Sequence, residues 1–213
     1  MEETENYNPM KAIFLLLLFF TTLVNGQTVG DLFKAMPPEL LPGVSEGNKT
    51  MLLVDTGQTS VPYTLGEIKK RVHNDNHLLI QTSNVGTIEL QLLPVVQDSM
   101  IICVIRTVCA QACDSRIDFY TTGWEKIDDS TLLPTINGEI FFDSSQKERE
   151  NYKYAVSLPG IYPVSAKFSD NGTDLLLAFD FKKHLDEDQI EEIVPFLKSD
   201  TIVLKWDRVS FKE

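Results

Sequence analysis

Between His77 and Thr122 the chain repeats one device four times: HLLIQT, GTIELQLL, SMIICVIRTV and SRIDFYTT. Each run is rich in aliphatic, β-branched or aromatic residues, and a few residues including Asn, Gly, Asp or Ser separate it from the next. Runs of this kind read as strands bounded by turns. Linkers this short join antiparallel neighbours, because a parallel crossover takes a dozen residues or more. The stretch therefore predicts an antiparallel meander, with turns at Asn84-Val85-Gly86 and between Cys109 and Cys113. Within GTIELQLL, Ile88, Leu90 and Leu92 alternate with Glu89, Gln91 and Leu93, which predicts one face packed on helices and one turned to solvent.

The flanks add short helices. In TVGDLFKAM, Val29, Leu32, Phe33 and Met36 recur at spacings of three and four, one face of a helix, and Pro37-Pro38 stops it. Ser45 is placed to cap a further helix through NKTMLLVD, with Gly57 as its terminating glycine. GEIKKRV, ahead of His73, reads as helix or strand. In the last third, Val164 to Phe168 and Thr173 to Phe181 form a hairpin about Asn171-Gly172, a dipeptide suited to a type I′ turn. Asp186 with Gln189 makes a capping-box start, and Ile190, Ile193, Val194 and Leu197 form the buried stripe of the helix that follows. TIVLKW and RVSFKE close the chain as a hairpin about Asp207. Residues 128–151 are mostly polar and loop-like, and divide residues 27–213 into two halves, each with strands ending near a tryptophan, Trp124 and Trp206. The expected fold class is α+β: a mainly antiparallel sheet, short N-terminal helices, one helix in the C-terminal half, and at most a weak internal duplication. Residues 27–213 are expected to form a single domain.

The N-terminus predicts export. Lys11 precedes an apolar run from Ala12 to Val24, and small residues follow, the pattern of a secretory signal peptide over residues 1–26. A bilayer-spanning helix needs about 20 apolar residues, so this run reads as a leader and the mature chain as free of a transmembrane segment. The acidic MEETENYNP before it suits a leader poorly, which makes Met10 the expected start. Losing residues 1–26 removes three glutamates and one lysine, and the formal charge moves from −12 to −10. So acidic a chain repels phosphate backbones, which argues against nucleic acid as a partner.

Three cysteines remain, Cys103, Cys109 and Cys113. Cys103, within IICVI, reads as a buried strand residue. Cys109 and Cys113 can close a short disulfide loop in an oxidising compartment or stay reduced. A zinc site would need further ligands that no second Cys/His cluster supplies, and no metal or cofactor is expected.

DLFKAMPPELLP after the leader, the block IRT…DSRIDFYTTGWEKI and the tail PFLKSDTIVLKW together resemble an uncharacterised family of small secreted proteins of Gram-negative anaerobes, a domain of unknown function. The resemblance spans nearly the whole mature chain. It implies export across the inner membrane, to the periplasm, outer membrane or cell surface, and it carries no catalytic residues. It also implies that TMLLVDTGQ is helical.

Candidate sites are few. LLVDTGQTS spells the catalytic loop of an aspartic protease around Asp55. That chemistry needs two carboxylates sharing a proton, so a small chain would have to dimerise. Gln58 stands where a small residue is expected, no apolar-apolar-Gly segment supports the loop, and SEGNKTM starts a helix better than a strand. Asp55 is therefore read as a helix C-terminus and kept as the single nameable residue of a hydrolase alternative. His73 and His77 have the spacing of helical metal ligands, but Asn74-Asp75-Asn76 between them makes a turn, and both read as surface residues. DNGTD, Asp170 to Asp174, lacks the closing glutamate of a calcium loop and reads as a turn. Asn48 and Asn171 lie in formal glycosylation sequons. Phe119, Tyr120, Trp124, Tyr152, Tyr154 and Tyr162 either line a groove or fill a sheet. The expected function is a non-enzymatic binding or structural module of the cell envelope, with a protein, peptide or envelope component as partner. The alternatives are the Asp55 hydrolase and a carrier of a small apolar ligand in a closed cavity.

Overall fold

The structure, a computed structural model, describes residues 27–54, 57–64, 66–170 and 172–213. Asp55, the sequon residue Asn171 and the leader lie outside the described residues. No described helix is long and apolar enough to cross a membrane.

Two short helices open the fold, α1 (Val29–Lys34) and α2 (Glu46–Leu53). The hydroxyl of Thr28 accepts the Asp31 N–H and that of Ser45 accepts the Asn48 N–H, satisfying N–H groups that a helix start leaves unpaired. Val29, Leu32, Phe33 and Met36 are all buried, as their spacing predicts. The second helix ends earlier than expected: its C-cap is Val54, so Gly57 stands beyond the terminating position.

Seven strands follow in chain order as one antiparallel meander: β1 (Ser60–Tyr63), β2 (Gly66–His73), β3 (His77–Gln81), β4 (Gly86–Pro94), β5 (Met100–Cys109), β6 (Cys113–Thr121) and β7 (Lys126–Ile127). GEIKKRV is thus a strand. Strand β1 contains Pro62 and lies at the sheet edge, where a residue without an N–H is tolerated. Residues 128–151 carry short 3-10 turns and one isolated bridge, from Phe142 to Leu197. Helix α3 (Tyr152–Ser157) leads into a second antiparallel sheet of β8 (Val164–Phe168), β9 (Leu175–Phe179), β10 (Thr201–Trp206) and β11 (Phe211–Lys212), in the order β11-β10-β9-β8. Helix α4 (Glu187–Ile193) lies between β9 and β10 and starts with the expected Asp186–Gln189 capping box. With seven strands in one sheet and four in the other, the halves are not copies strand for strand.

The second sheet packs on the face of the first that was expected to meet water. Ile88, Leu90, Leu92, Ile102 and Val104 pack under α1 and α2, while Leu93, Cys103, Ile105 and Phe119 point the other way into a core shared with Phe168, Leu175, Leu177 and Phe179. The large sheet is thus a middle layer with both faces covered at its centre, and Glu89 and Gln91 are buried rather than exposed. Each fully buried Leu or Phe side chain in these layers contributes roughly 1.5–3 kcal/mol.

Two further expectations are corrected. The hairpin of β8 and β9 is wider than a two-residue turn: the Ser169 N–H donates to the Asp174 carbonyl, which closes it. Val194 is exposed, because Pro195 ends the regular helix and the chain turns 3-10 over Val194–Phe196, which sends Phe196 inward instead.

Candidate functional site at the junction of the two sheets

β8 is the edge strand of the small sheet, and its N–H groups at positions 164, 166 and 168 face away from β9. An open strand edge invites pairing with another chain. Here side chains of the large sheet close it. The Val164 N–H donates to Asp114 Oδ1 at 3.1 Å, the Ala166 N–H to Ser115 Oγ at 2.9 Å, and the Phe168 N–H to Glu89 Oε1 at 3.2 Å. The Ser115 hydroxyl is itself hydrogen-bonded to Thr107 across β5 and β6. These contacts fix where the two sheets meet and leave an open cleft on each side of β8, both lined by Ala166.

The first cleft, of about 620 Å³, lies between β8, the start of β6 and the loop through residues 129–138. Ile117, Leu133, Ile136, Val164 and Leu177 form its apolar part, and Asp114, Asp129, Thr135, Asn137 and Tyr162 its polar part. No lysine, arginine or histidine lines it. Tyr162 is held on both sides: its ring stacks on Phe179, centroids 5.5 Å apart, and a Cβ on Gly138 would lie 1.6 Å from its Cδ1. Glycine at 138 is therefore what lets the ring seat there. The Tyr162 hydroxyl has no hydrogen-bond partner among the described residues, and burial together with nearby Glu139 raises its pKa.

The second cleft, also about 620 Å³, lies between the outward face of the small sheet and the part of the large sheet it leaves uncovered. At its base His77 Nε2 and Glu89 Oε1 stand 2.7 Å apart. His77 is only 9% exposed and Glu89 only 6%, so His77 is not the surface residue the sequence suggested. His73 is exposed, on the far side of the Asn74-Asp75-Asn76 turn. Among the described residues no three His, Cys, Asp or Glu converge as metal ligands.

The sulfurs of Cys109 and Cys113 are joined, directly opposite each other at the end of the β5–β6 hairpin. Cys103 is free and fully buried, and burial, with Glu89 and Asp118 nearby, pushes its thiol well above the ordinary range. A thiolate is the reactive form, so this thiol is inert. On the helix-side face, Arg106 and Arg116 occupy directly opposed positions, an unfavourable pairing for like charges. Asp118 beside them accepts ion pairs from Arg106 at 3.1 Å, Arg116 at 2.9 Å and Lys126 at 2.9 Å. Burial raises the Asp118 pKa, but the bonds from Lys126 and Arg116 outweigh it and hold the carboxyl below its usual value.

Of the aromatic candidates, Phe119, Tyr120 and Tyr152 are core residues; Tyr154 is exposed, in a polar depression with residues 147–151 and Lys153; Trp124 donates its indole N–H to the Leu32 carbonyl at 3.0 Å; Tyr162 lines the first cleft of the sheet junction. The sequence held no local sign of the Tyr162–Gly138 contact, which joins separate segments, or of the Glu89–His77 pair, which forms diagonally across the neighbouring strands β3 and β4 and is buried only when the second sheet arrives.

A two-sheet α+β domain with clefts at the sheet junction, and no described nucleophile–base pair in them, defines the class of protein. The chain belongs to the family described as Protein of unknown function (DUF3256), whose model matches residues 21–211. It is similar to the solved structure of a domain of an uncharacterized protein from Porphyromonas gingivalis W83, at 26% identity and a TM-score of 0.76, covering 86% of this chain and 98% of that one. No curated protein matches.

Proposed function

We propose that this protein is an exported, non-catalytic binding module of the cell envelope, and that the cleft at Tyr162 receives its partner. The observation that carries the reading is the cleft itself: apolar side chains beside converging polar ones, in an open depression at the junction of two sheets. Its volume falls within the range of about 300–1,000 Å³ usual for ligand sites. An open, mixed lining suits a peptide or envelope component better than a small apolar ligand, which would call for a closed apolar cavity. The two groups there that resemble catalytic residues, Asp114 and Ser115, hold the backbone of β8. The apolar run before residue 27 and the Cys109–Cys113 bridge support passage into an oxidising compartment.

The test is affinity capture from an envelope fraction with wild type and Ile136→Asp, which places a charge in the cleft, alongside incubation of wild type with unfolded polypeptide at acid pH. The expected result is a partner held by wild type and lost by Ile136→Asp, with no cleavage. Unchanged capture by Ile136→Asp, or cleavage that Asp55→Asn abolishes, overturns the reading.

A further inference from the structure

The cleft on the other side of β8 has a different chemistry. Val72 and Leu79 of the large sheet and Leu176 and Ala178 of the small one give it aliphatic walls. Glu89 lies at its base, and both of its hydrogen bonds go to one oxygen: Oε1 receives His77 Nε2 at 2.7 Å and the Phe168 N–H at 3.2 Å. Oε2 has no hydrogen-bond partner among the described residues, and it is not sealed in, since the only sealed and unpartnered side-chain atoms described are the two ring nitrogens of His184. A carboxylate this deeply buried is costly unless its oxygens are satisfied. Here one oxygen is satisfied by the fold and the other opens to the cleft.

We propose that this cleft binds an alkylammonium or alkylguanidinium group, with the cationic head on Glu89 Oε2 and the aliphatic stem along Val72, Leu79, Leu176 and Ala178. Asp170 lines the same cleft and adds a second negative charge. Lys167 lines the same cleft and forms no ion pair among the described residues, so it is a competitor that an incoming cation meets. The site lies across β8 from the Tyr162 cleft and does not rest on the function assigned to that cleft. The same head group occurs on free polyamines and on lysine or arginine side chains of proteins, and the probes separate the two sources.

Binding is measured by calorimetry and by NMR shifts with cadaverine, Nα-acetyl-lysine amide and Nα-acetyl-arginine amide, and with pentanol and pentanoate as neutral and anionic controls. Wild type is expected to bind at least one cationic probe and neither control. Binding of cadaverine alone points to free polyamines, and binding of the capped amino acids to a protein. Glu89→Gln, which keeps an acceptor for Phe168, is expected to weaken binding about tenfold or more, the loss of a charge-assisted hydrogen bond. Lys167→Met removes the competitor and is expected to tighten it. Ala178→Trp fills the cleft without touching Glu89 and is expected to abolish binding, which decides the matter if Glu89→Gln fails to fold by circular dichroism. No binding of any cationic probe at millimolar concentration, equal binding of pentanol, or wild-type binding by Ala178→Trp overturns the proposal.

Discussion

Ser115 Oγ and the Ala166 N–H, 51 residues apart in sequence, are joined at 2.9 Å. This is the middle of three side-chain bonds that seat the edge of the small sheet on the large one. Ser115→Ala leaves that N–H without its acceptor in a half-buried position and removes the partner of Thr107. The expected loss is about 1–3 kcal/mol of unfolding free energy, read as a lower urea midpoint at unchanged slope. An unchanged midpoint would show that water replaces the serine and that the contact does not hold the sheets together.

Gly138 is the backbone seat of Tyr162. Gly138→Ala places a methyl where the ring lies, so either the ring or the 129–138 loop must move. Overpacking of this kind costs about 1–3 kcal/mol. The near-ultraviolet signal of Tyr162 is expected to change with it, and partner capture to fall, whereas Gly47→Ala, where a Cβ meets only the Ser45 hydroxyl at 3.8 Å, is expected to leave both unchanged.

Acid should destabilise the protein over a defined window. The Lys212 side chain, with the Ser210 and Val209 N–H groups, lowers the Asp207 carboxyl from 3.8 to about 2. Asp118 is also held below its usual value. A carboxyl depressed in the folded state favours the fold above its unfolded pKa, and that contribution disappears as pH falls through the folded pKa. Stability is thus expected to drop between about pH 4 and pH 2. Asp118→Asn is expected to start lower at neutral pH, with Arg106 and Arg116 left opposed, and to lose less on acidification. A variant whose acid profile parallels wild type would contradict the assignment.

Thiol titration separates the cysteines. With Cys109 and Cys113 joined and Cys103 buried, the native protein is expected to react with no thiol reagent. Unfolding without reductant should release one thiol of the three cysteines, and unfolding with reductant all three. Two or more reactive thiols before reduction would mean that the bridge does not form in the protein.

How much of this was legible in the sequence follows from how far apart the partners lie. The buried face of α1, the Asp186–Gln189 capping box and the meander from His77 to Thr121 depend on residues a few positions apart, and periodicity or a turn reveals them. The burial of Glu89 and Gln91 does not: their alternation with Ile88, Leu90 and Leu92 has the pattern of a solvent face, and the sheet that covers them arrives only at Val164. His77 differs from its expected surface position for the same reason: the Phe168 N–H, 79 residues beyond Glu89, donates to the Glu89 oxygen that His77 meets, and no local pattern brings that strand over the pair. The Tyr162 cleft needs three segments to meet, β6, the 129–138 loop and β8, and no local motif announces it. The hydrolase candidate Asp55 lies outside the described residues, and its test is the substitution already described.

The most direct measurement of the central claim is photo-crosslinking in cells of the native host. A benzophenone amino acid is placed at Thr135, in the Tyr162 cleft, and in a second strain at Met51, exposed on α2 beyond the opposite face of the large sheet. A discrete adduct from Thr135 and none from Met51, in the envelope fraction, is the predicted result. Equal adducts from both positions, or adducts from Met51 alone, would contradict a partner bound at the sheet junction.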